Sequence, residues 1–421
     1  MEIFLKSDNR NGLSTDKIKE ALAISIKGKT LKKVLLIPPD FTRFHSNAGF
    51  ITNIYYHMLK DSRSVDILPA LGTHVAMTEE ECKEMFGDIP YDKFIYHDWR
   101  EDVIKIGEVP GPYINEITEG LWKEPIDVEI NKLIMDSSYD LIISIGQVVP
   151  HEVIGMANHS KNLFVGCGGK DIINSTHMVG AVYGMERMMG KDHTPVRKIF
   201  DYGMEHFLNK IPLLSVLTVT TASGGVINTH GLFIGDKRNA LDEAIALTQK
   251  VNIDFVEKGV KKCVVYLDPK EFKSTWLGNK AVYRTRMAIA DNGELIVLAP
   301  GVKQFGEDQN IDLLIRKYGY CGRMTVLDLF KKNDELKQNM GMAAHLIHGS
   351  SDGRFKITYA VKNISKKEIE QVHYNPADYD EMVKKYNPEK LSYGWNTSPD
   401  GEEIYYIPNP ALGLWIDKNR F

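Results

Sequence analysis

Pro39-Asp40-Phe41-Thr42-Arg43 places a carboxylate, a hydroxyl and a guanidinium side by side, directly after the apolar run 34–38 (VLLIP). An arginine fork matches a carboxylate or a phosphate. The bland reading of the same residues is a helix N-cap with a surface ion pair. A second run, 65–71 (VDILPAL), ends in Gly72-Thr73-His74. Histidine is the side chain whose unperturbed pKa suits proton transfer near neutrality. The densest stretch is 146–187, which holds His151, His159, His177, Lys161, Lys170 and the turn Gly166-Cys167-Gly168-Gly169. Taken together these residues could bind a small anion and move protons beside it.

Standard fingerprints are missing. Gly-Cys-Gly-Gly-Lys lacks the P-loop spacing, and Asp171 stands where that loop has Ser or Thr. No G-x-G-x-x-G follows the first apolar run. His151-Glu152-Val153-Ile154-Gly155 is not H-E-x-x-H, so a zincin reading fails at its second ligand.

The elements that must position these residues are legible as short apolar runs closed by turn residues. Runs 34–38, 65–71 and 141–145 suit strands buried on both faces. Helical patterns at 47–59 and 78–86 follow the first two, and Thr78 with Glu81 forms a capping-box signature. Strand–helix alternation predicts a parallel, doubly wound sheet. Ligands sit beyond the carboxyl ends of such strands, where Asp40, His74 and Gln147 fall. A second series, 263–267, 295–299 and 356–361, predicts another α/β unit. Between the series a helix is expected over 240–256, and the charged stretch 257–262 marks a boundary. The resulting picture is a two-domain α/β protein. A Rossmann-like N-terminal domain spans 1–260, with 405–421 packing back on it. A second α/β domain spans 261–404, and the active site lies in the interdomain cleft.

The 421 residues are enough for two full cores. With 52 basic and 56 acidic residues the net charge is −4, which gives no electrostatic footprint for nucleic acid or an anionic membrane. The four cysteines are scattered and never form C-x-x-C, which fits a reducing cytoplasm. The opening residues MEIFLKSDNRNG carry no apolar h-region, so no signal peptide is expected. No apolar run approaches the ~20 residues of a membrane span.

In these spacings the chain resembles the lactate racemase family, whose members use a nickel-pincer nucleotide. The resemblance runs over nearly the whole chain. It rests on the Asp-x-Thr-Arg turn (Asp40 to Arg43) and on Gly72-Thr73-His74. It rests also on Pro150-His151 followed by Gly155, by Lys161 ten residues after the histidine, and by His177 sixteen residues after the lysine. The implied activity is inversion of C2 of a 2-hydroxy acid, by hydride transfer to the cofactor and a 2-keto acid intermediate. The implied cofactor is the nickel complex of pyridinium-3,5-bisthiocarboxylic acid mononucleotide, and the implied partners include the proteins that make it. By the same resemblance His74 and His151 are the acid/base pair. Arg43 holds the substrate carboxylate, Lys161 tethers the cofactor and His177 ligates nickel. Asp40 and Thr42 support the turn or the cofactor, while backbone around Gly155, Met156 and Asn158 holds its phosphate.

Two departures from the family pattern matter. Ala157-Asn158-His159-Ser160 replaces Ser-Gly-Gly-x before the tether, and Gly168-Gly169 makes Lys170 a rival for that role. In the C-terminal half Trp276 and Lys280 match substrate-binding positions, but Leu277 stands where the family has Gln. That change turns the substrate from lactate toward a larger 2-hydroxy acid, such as an aldonate. Two other readings stand beside this one: a histidine-rich metallohydrolase, which needs a compact ligand set, and a non-catalytic cofactor-binding protein.

Overall fold

The computed structural model describes residues 2–223, 226–411 and 413–421. The chain divides into two compact units. One comprises Met1–Thr176 and Gly190–Asn252, the other His177–Met189 and Ile253–Phe421.

The first unit is built on a six-stranded sheet. From one edge its strands are Ser64–Ile67, Lys33–Ile37, Leu141–Gln147, Leu213–Ser223, Val226–Gly235 and Ile3–Lys6. The first four run parallel, and the last two are antiparallel additions. Every residue of Leu141–Gln147 and residues 34–37 of the neighbouring strand are buried. This is the expected result for central parallel strands covered on both faces. Helices Thr15–Ile26 and Ala48–Leu59 bury Leu22, Ile51 and Tyr55 against this sheet. Helix Glu79–Phe86 starts with the expected capping box, in which Thr78 and Glu81 satisfy each other's backbone N–H groups. Because four strands are parallel, their carboxyl ends share one edge. The turns carrying Asp40, His74 and His151 all leave from that edge.

The second unit has its own six-stranded sheet, ordered Asn375–Asp378, Lys356–Val361, Ile289–Ala299, Val260–Tyr266, Glu403–Ile407 and Gly394–Thr397. Five strands are parallel, and Gly394–Thr397 closes one edge antiparallel. The chain is thus a mixed α/β protein with two largely parallel sheets.

One element differs from the sequence expectation. The helix predicted over 240–256 is Asn239–Val251, and Ile253–Val256 is a strand. Asn252 leaves helical geometry, and the next four residues pair in parallel with Leu414–Asp417. Ile-Asp-Phe-Val is a strand only through this pairing, and its partner lies at the far end of the chain. The closing residues therefore pair within the second unit, through Glu403–Ile407 and Leu414–Asp417. Residue 412 in that stretch lies outside the described residues. No helix among the described residues is long and apolar enough to cross a membrane.

Candidate active site

After strand Lys33–Ile37 the pairing continues through Pro38 and Pro39, which face Ala70, and Phe41–Ser46 then forms a short 3-10 turn with Asp40 at its head. Asp40 does not cap that turn with its side chain. Its carboxylate instead accepts from Thr42 Oγ1 at 2.6 Å and meets His74 Nδ1 at 2.5 Å. Burial alone would raise the Asp40 carboxyl. The His74 hydrogen bond and charge, the Thr42 hydroxyl and the Arg43 charge outweigh it, and the carboxyl titrates below the ordinary range. The turn is anchored from strand Leu213–Ser223 by Thr218 and Thr220, whose hydroxyls donate to the carbonyls of Ser46 and His45. Arg43 lies in electrostatic range of Asp40, and no hydrogen bond or ion pair occupies its guanidinium among the described residues.

His74 sits on the turn after Ser64–Ile67. Gly72 has φ +59° and donates to Gly166 O at 2.8 Å, which ties this turn to the segment after Lys161. An ionised carboxylate only accepts, so His74 Nδ1 carries the proton toward Asp40. In the neutral ring the lone pair is then on Nε2. The His74 side chain is 56% exposed, so it is open to a ligand.

His151 is set differently. Pro150–His151 pairs with Gly155–Met156 in a minimal hairpin, and the imidazole is buried. Val153 N–H donates to His151 Nδ1 at 3.1 Å, and Glu152 Oε2 lies 3.8 Å from the same nitrogen. An accepting Nδ1 leaves the proton of the neutral ring on Nε2. The two histidines therefore present opposite faces of the same chemistry, one a lone pair and the other an N–H.

Lys161 lies on the short helix Ser160–Phe164. Asn162 pins that helix over the strand ends, donating to Ile37 O and Ser144 Oγ at 3.0 Å each. Burial lowers the Lys161 ammonium to about 8, helped by Arg43 and opposed by Glu152 and Asp40. Asp40, Thr42, Arg43, His74 and Lys161 are thus brought together, with Glu152 linking them to His151. Asn158 packs on the end of strand Leu141–Gln147. A Cβ on Gly146 would lie 2.0 Å from its Nδ2, so a larger residue there would displace the Asn158 side chain. Of the backbone donors near Gly155, Met156 and Asn158, Ala157 N–H is already used by Val149 O, and His159 N–H by Asn158 Oδ1.

The rival Lys170 is exposed at the start of helix Lys170–Tyr183. His177 lies on that helix, in the part that belongs to the second unit. Trp276 and Lys280 are in the second unit as well. Trp276 stacks on His345 with ring centroids 4.1 Å apart, and Lys280 Nζ is 3.8 Å from Glu271. No group of three or more His, Cys, Asp or Glu side chains that could hold a metal is found among the described residues.

Residues 8–189 match the sequence model of the lactate racemase N-terminal domain. This part of the chain is thus similar to the lactate racemase N-terminal domain. Every matched site residue except Trp276 and Lys280 falls inside it. Two solved structures share the fold. A protein from Thermotoga maritima is 23% identical with a TM-score of 0.82, covering 98% of this chain and 100% of its own. The lactate racemase apoprotein from Thermoanaerobacterium thermosaccharolyticum is 17% identical with a TM-score of 0.71, covering 96% of this chain and 93% of its own. No curated protein sequence matches the chain.

Sequence reasoning missed Glu152, Asn162 and Arg197. Glu152 and Asn162 adjoin residues already singled out, and that adjacency was the available signal. Arg197 had none, because its contacts are made across the fold.

Proposed function

We propose that this chain is a nickel-pincer nucleotide-dependent racemase or epimerase that inverts C2 of a 2-hydroxy acid. The observation that carries this reading is the Asp40–His74 pair beside the unpaired Arg43 and the Lys161 amine, at one sheet edge in the matched domain. The residues fit the cofactor. An amine that titrates near 8 is partly neutral at physiological pH and so suits covalent attachment, and His177 supplies an imidazole nitrogen, a good nickel donor. In this reading Lys161 is the tether, His177 the protein ligand, and Asp40, Thr42 and Asn158 supports. When bound, the cofactor supplies a hydride acceptor, which avoids deprotonating a carbon beside a carboxylate.

The chain's own residues do the rest. Arg43 holds the substrate carboxylate with a planar fork and keeps C2 in one place. His74 Nε2 accepts the hydroxyl proton of one configuration, and Asp40 stabilises the imidazolium that forms. His151, protonated for this step and neutral after it, returns a proton from Nε2 on the opposite side, and solvent carries the proton left on His74 back to His151 between turnovers. Reversal of direction exchanges the two roles. Leu277, where the family has Gln, turns the reading from lactate toward a larger substrate such as a sugar acid.

The decisive experiment uses protein produced in cells that make the cofactor. It should carry nickel, and substrate deuterated at C2 should keep its label through inversion. Rapid loss of label to solvent would exclude hydride transfer. Nickel retained with no turnover over a panel of lactate and aldonates would mark a non-catalytic relative.

A further inference from the structure

The loop leading to Lys161 is strained. Asn158 has φ +68°, and His159 has φ +57° with ψ −124°, a conformation in which L side chains are disfavoured. Such backbone persists only where its surroundings over-determine it, at a cost on the order of 1–3 kcal/mol per residue. The His159 side chain is buried, but its Nδ1 makes no hydrogen bond among the described residues that could hold the loop. Its imidazole lines a cavity of about 740 Å³ that reaches Leu141 and Leu213, at the amino ends of the parallel strands. His159 Nδ1 has no hydrogen-bond partner among the described residues, and burial pushes the imidazole down to about 3, so it stays neutral. His159 therefore does not hold its own loop.

Arg197 does. It lies in the first turn of helix Pro195–Phe207, which Thr194 caps. Its side chain is wholly buried. Nη2 donates to Met156 O at 2.6 Å, Nη1 donates to Ser160 Oγ at 2.7 Å, and both nitrogens lie 3.4 Å from Asn158 O. One rigid fork thus joins the carbonyls of Met156 and Asn158 to the first residue of the helix that carries Lys161. A buried guanidinium is costly unless its donors are satisfied, and here the satisfied donors go to this loop. Asp201, Asp192 and Arg238 stand behind it as a charge network.

We propose that Arg197 is a positioning residue, a clamp that holds the strained 156–160 loop and thereby fixes the Lys161 amine over the sheet edge. The proposal leans on the functional reading only for the tether role of Lys161, and its test does not use turnover. Arg197 also places a positive charge within range of the Lys161 ammonium, which favours the neutral amine.

The test is acylation of Lys161 in the full-length protein by an N-hydroxysuccinimide ester, followed across pH by peptide mass spectrometry, together with urea denaturation. Arg197→Met should move the labelling midpoint of Lys161 upward and slow labelling at pH 8 roughly threefold. Arg197→Lys, which keeps the charge, should restore the midpoint. His159→Gly adopts positive φ without strain, so it should leave the midpoint unchanged and raise stability. The loss caused by Arg197→Met should be smaller in the His159→Gly background, because less strain needs holding. A merely structural arginine would lower stability with no change in the midpoint. An unmoved midpoint in Arg197→Met, or strictly additive stability changes in the double variant, overturns the proposal. If Arg197→Met does not fold, the Arg197→Met/His159→Gly pair and Arg197→Lys still decide it.

Discussion

His74 Nδ1 lies 2.5 Å from Asp40 Oδ2, so the turns after two neighbouring parallel strands are joined by one hydrogen bond between a buried carboxylate and an exposed imidazole. The bond fixes the ring orientation and the tautomer of His74. It also separates His74 from His151, whose Nδ1 accepts from backbone.

Asp40→Asn should lower turnover by about 10–100-fold and His74→Ala by about 10²–10⁴-fold, the range of a positioned acid/base group. The equilibrium between the two configurations belongs to the substrate. Each variant must therefore reduce kcat/KM by the same factor in both directions, and unequal factors would point to an assay artefact or another reaction. Asp40 also links stability to pH. Its folded carboxyl titrates below the unfolded one, so the stability it contributes is present above the unfolded value and is lost as pH falls through the folded one. The wild-type advantage over Asp40→Asn in urea should be about 1 kcal/mol at pH 7, modest because water competes at the exposed His74. That advantage should shrink below about pH 4.

Lys161 predicts the opposite slope. Burial and Arg43 bring its ammonium down from 10.5 to about 8, so the unfolded chain binds the extra proton between these values. Stability should rise with pH across that window. Lys161→Met should stabilise the protein by on the order of 1 kcal/mol at pH 7, discounted for partial exposure, and the gain should vanish near pH 10. A variant less stable than wild type at pH 7 would contradict the burial argument.

The sheet of the first unit was legible because its central strands are buried on both faces and read as unbroken apolar runs ended by Pro, Gly or Asp. Asp40, Thr42, Arg43 and His74 stood out because such ends carry chemistry in parallel sheets. The helix end at Val251 was not legible, because Ile253–Val256 continues an apolar pattern and becomes a strand only by pairing with Leu414–Asp417. Arg197 was invisible for a related reason. A charged residue in a helix reads as solvated surface until the fold closes carbonyls of a distant loop around it.

In the second unit, Asn279 stands between Trp276 and Lys280 and is completely buried. Its Oδ1 accepts from Tyr359 at 2.9 Å and lies 3.0 Å from the Tyr374 hydroxyl. Tyr374 has a second acceptor in Gly349 O at 2.8 Å. Asn279→Leu should cost about 2–3 kcal/mol in urea, since it leaves buried hydroxyl hydrogen-bonding capacity unmet. Tyr359→Phe should cost about 1 kcal/mol alone and almost nothing in the Asn279→Leu background. Fully additive losses would show that the two side chains do not share this bond.

Arg286 ties down the segment that carries His177. Its buried guanidinium donates to Glu186 Oε1 at 2.9 Å and to Ser350 O at 3.0 Å, with Asp352 at 3.3 Å, and Arg354 adds a contact to Glu186 at 3.3 Å. Glu186 belongs to His177–Met189, the piece of chain grouped with the second unit. Burial would raise its carboxyl, but the charges of Arg286 and Arg354 hold it below its ordinary value. Glu186→Gln keeps the shape and removes the charge, which should cost about 1–2 kcal/mol because Asp352 still partners the arginine. The stability difference between the two proteins should be full near neutrality and close as pH falls through the Glu186 titration. Amide hydrogen exchange gives the local readout. Exchange in 177–189 should quicken in Glu186→Gln, while the sheet Leu141–Gln147 keeps wild-type protection. If stability falls with no change in the exchange of 177–189, Glu186 contributes only bulk charge and does not anchor the His177 segment.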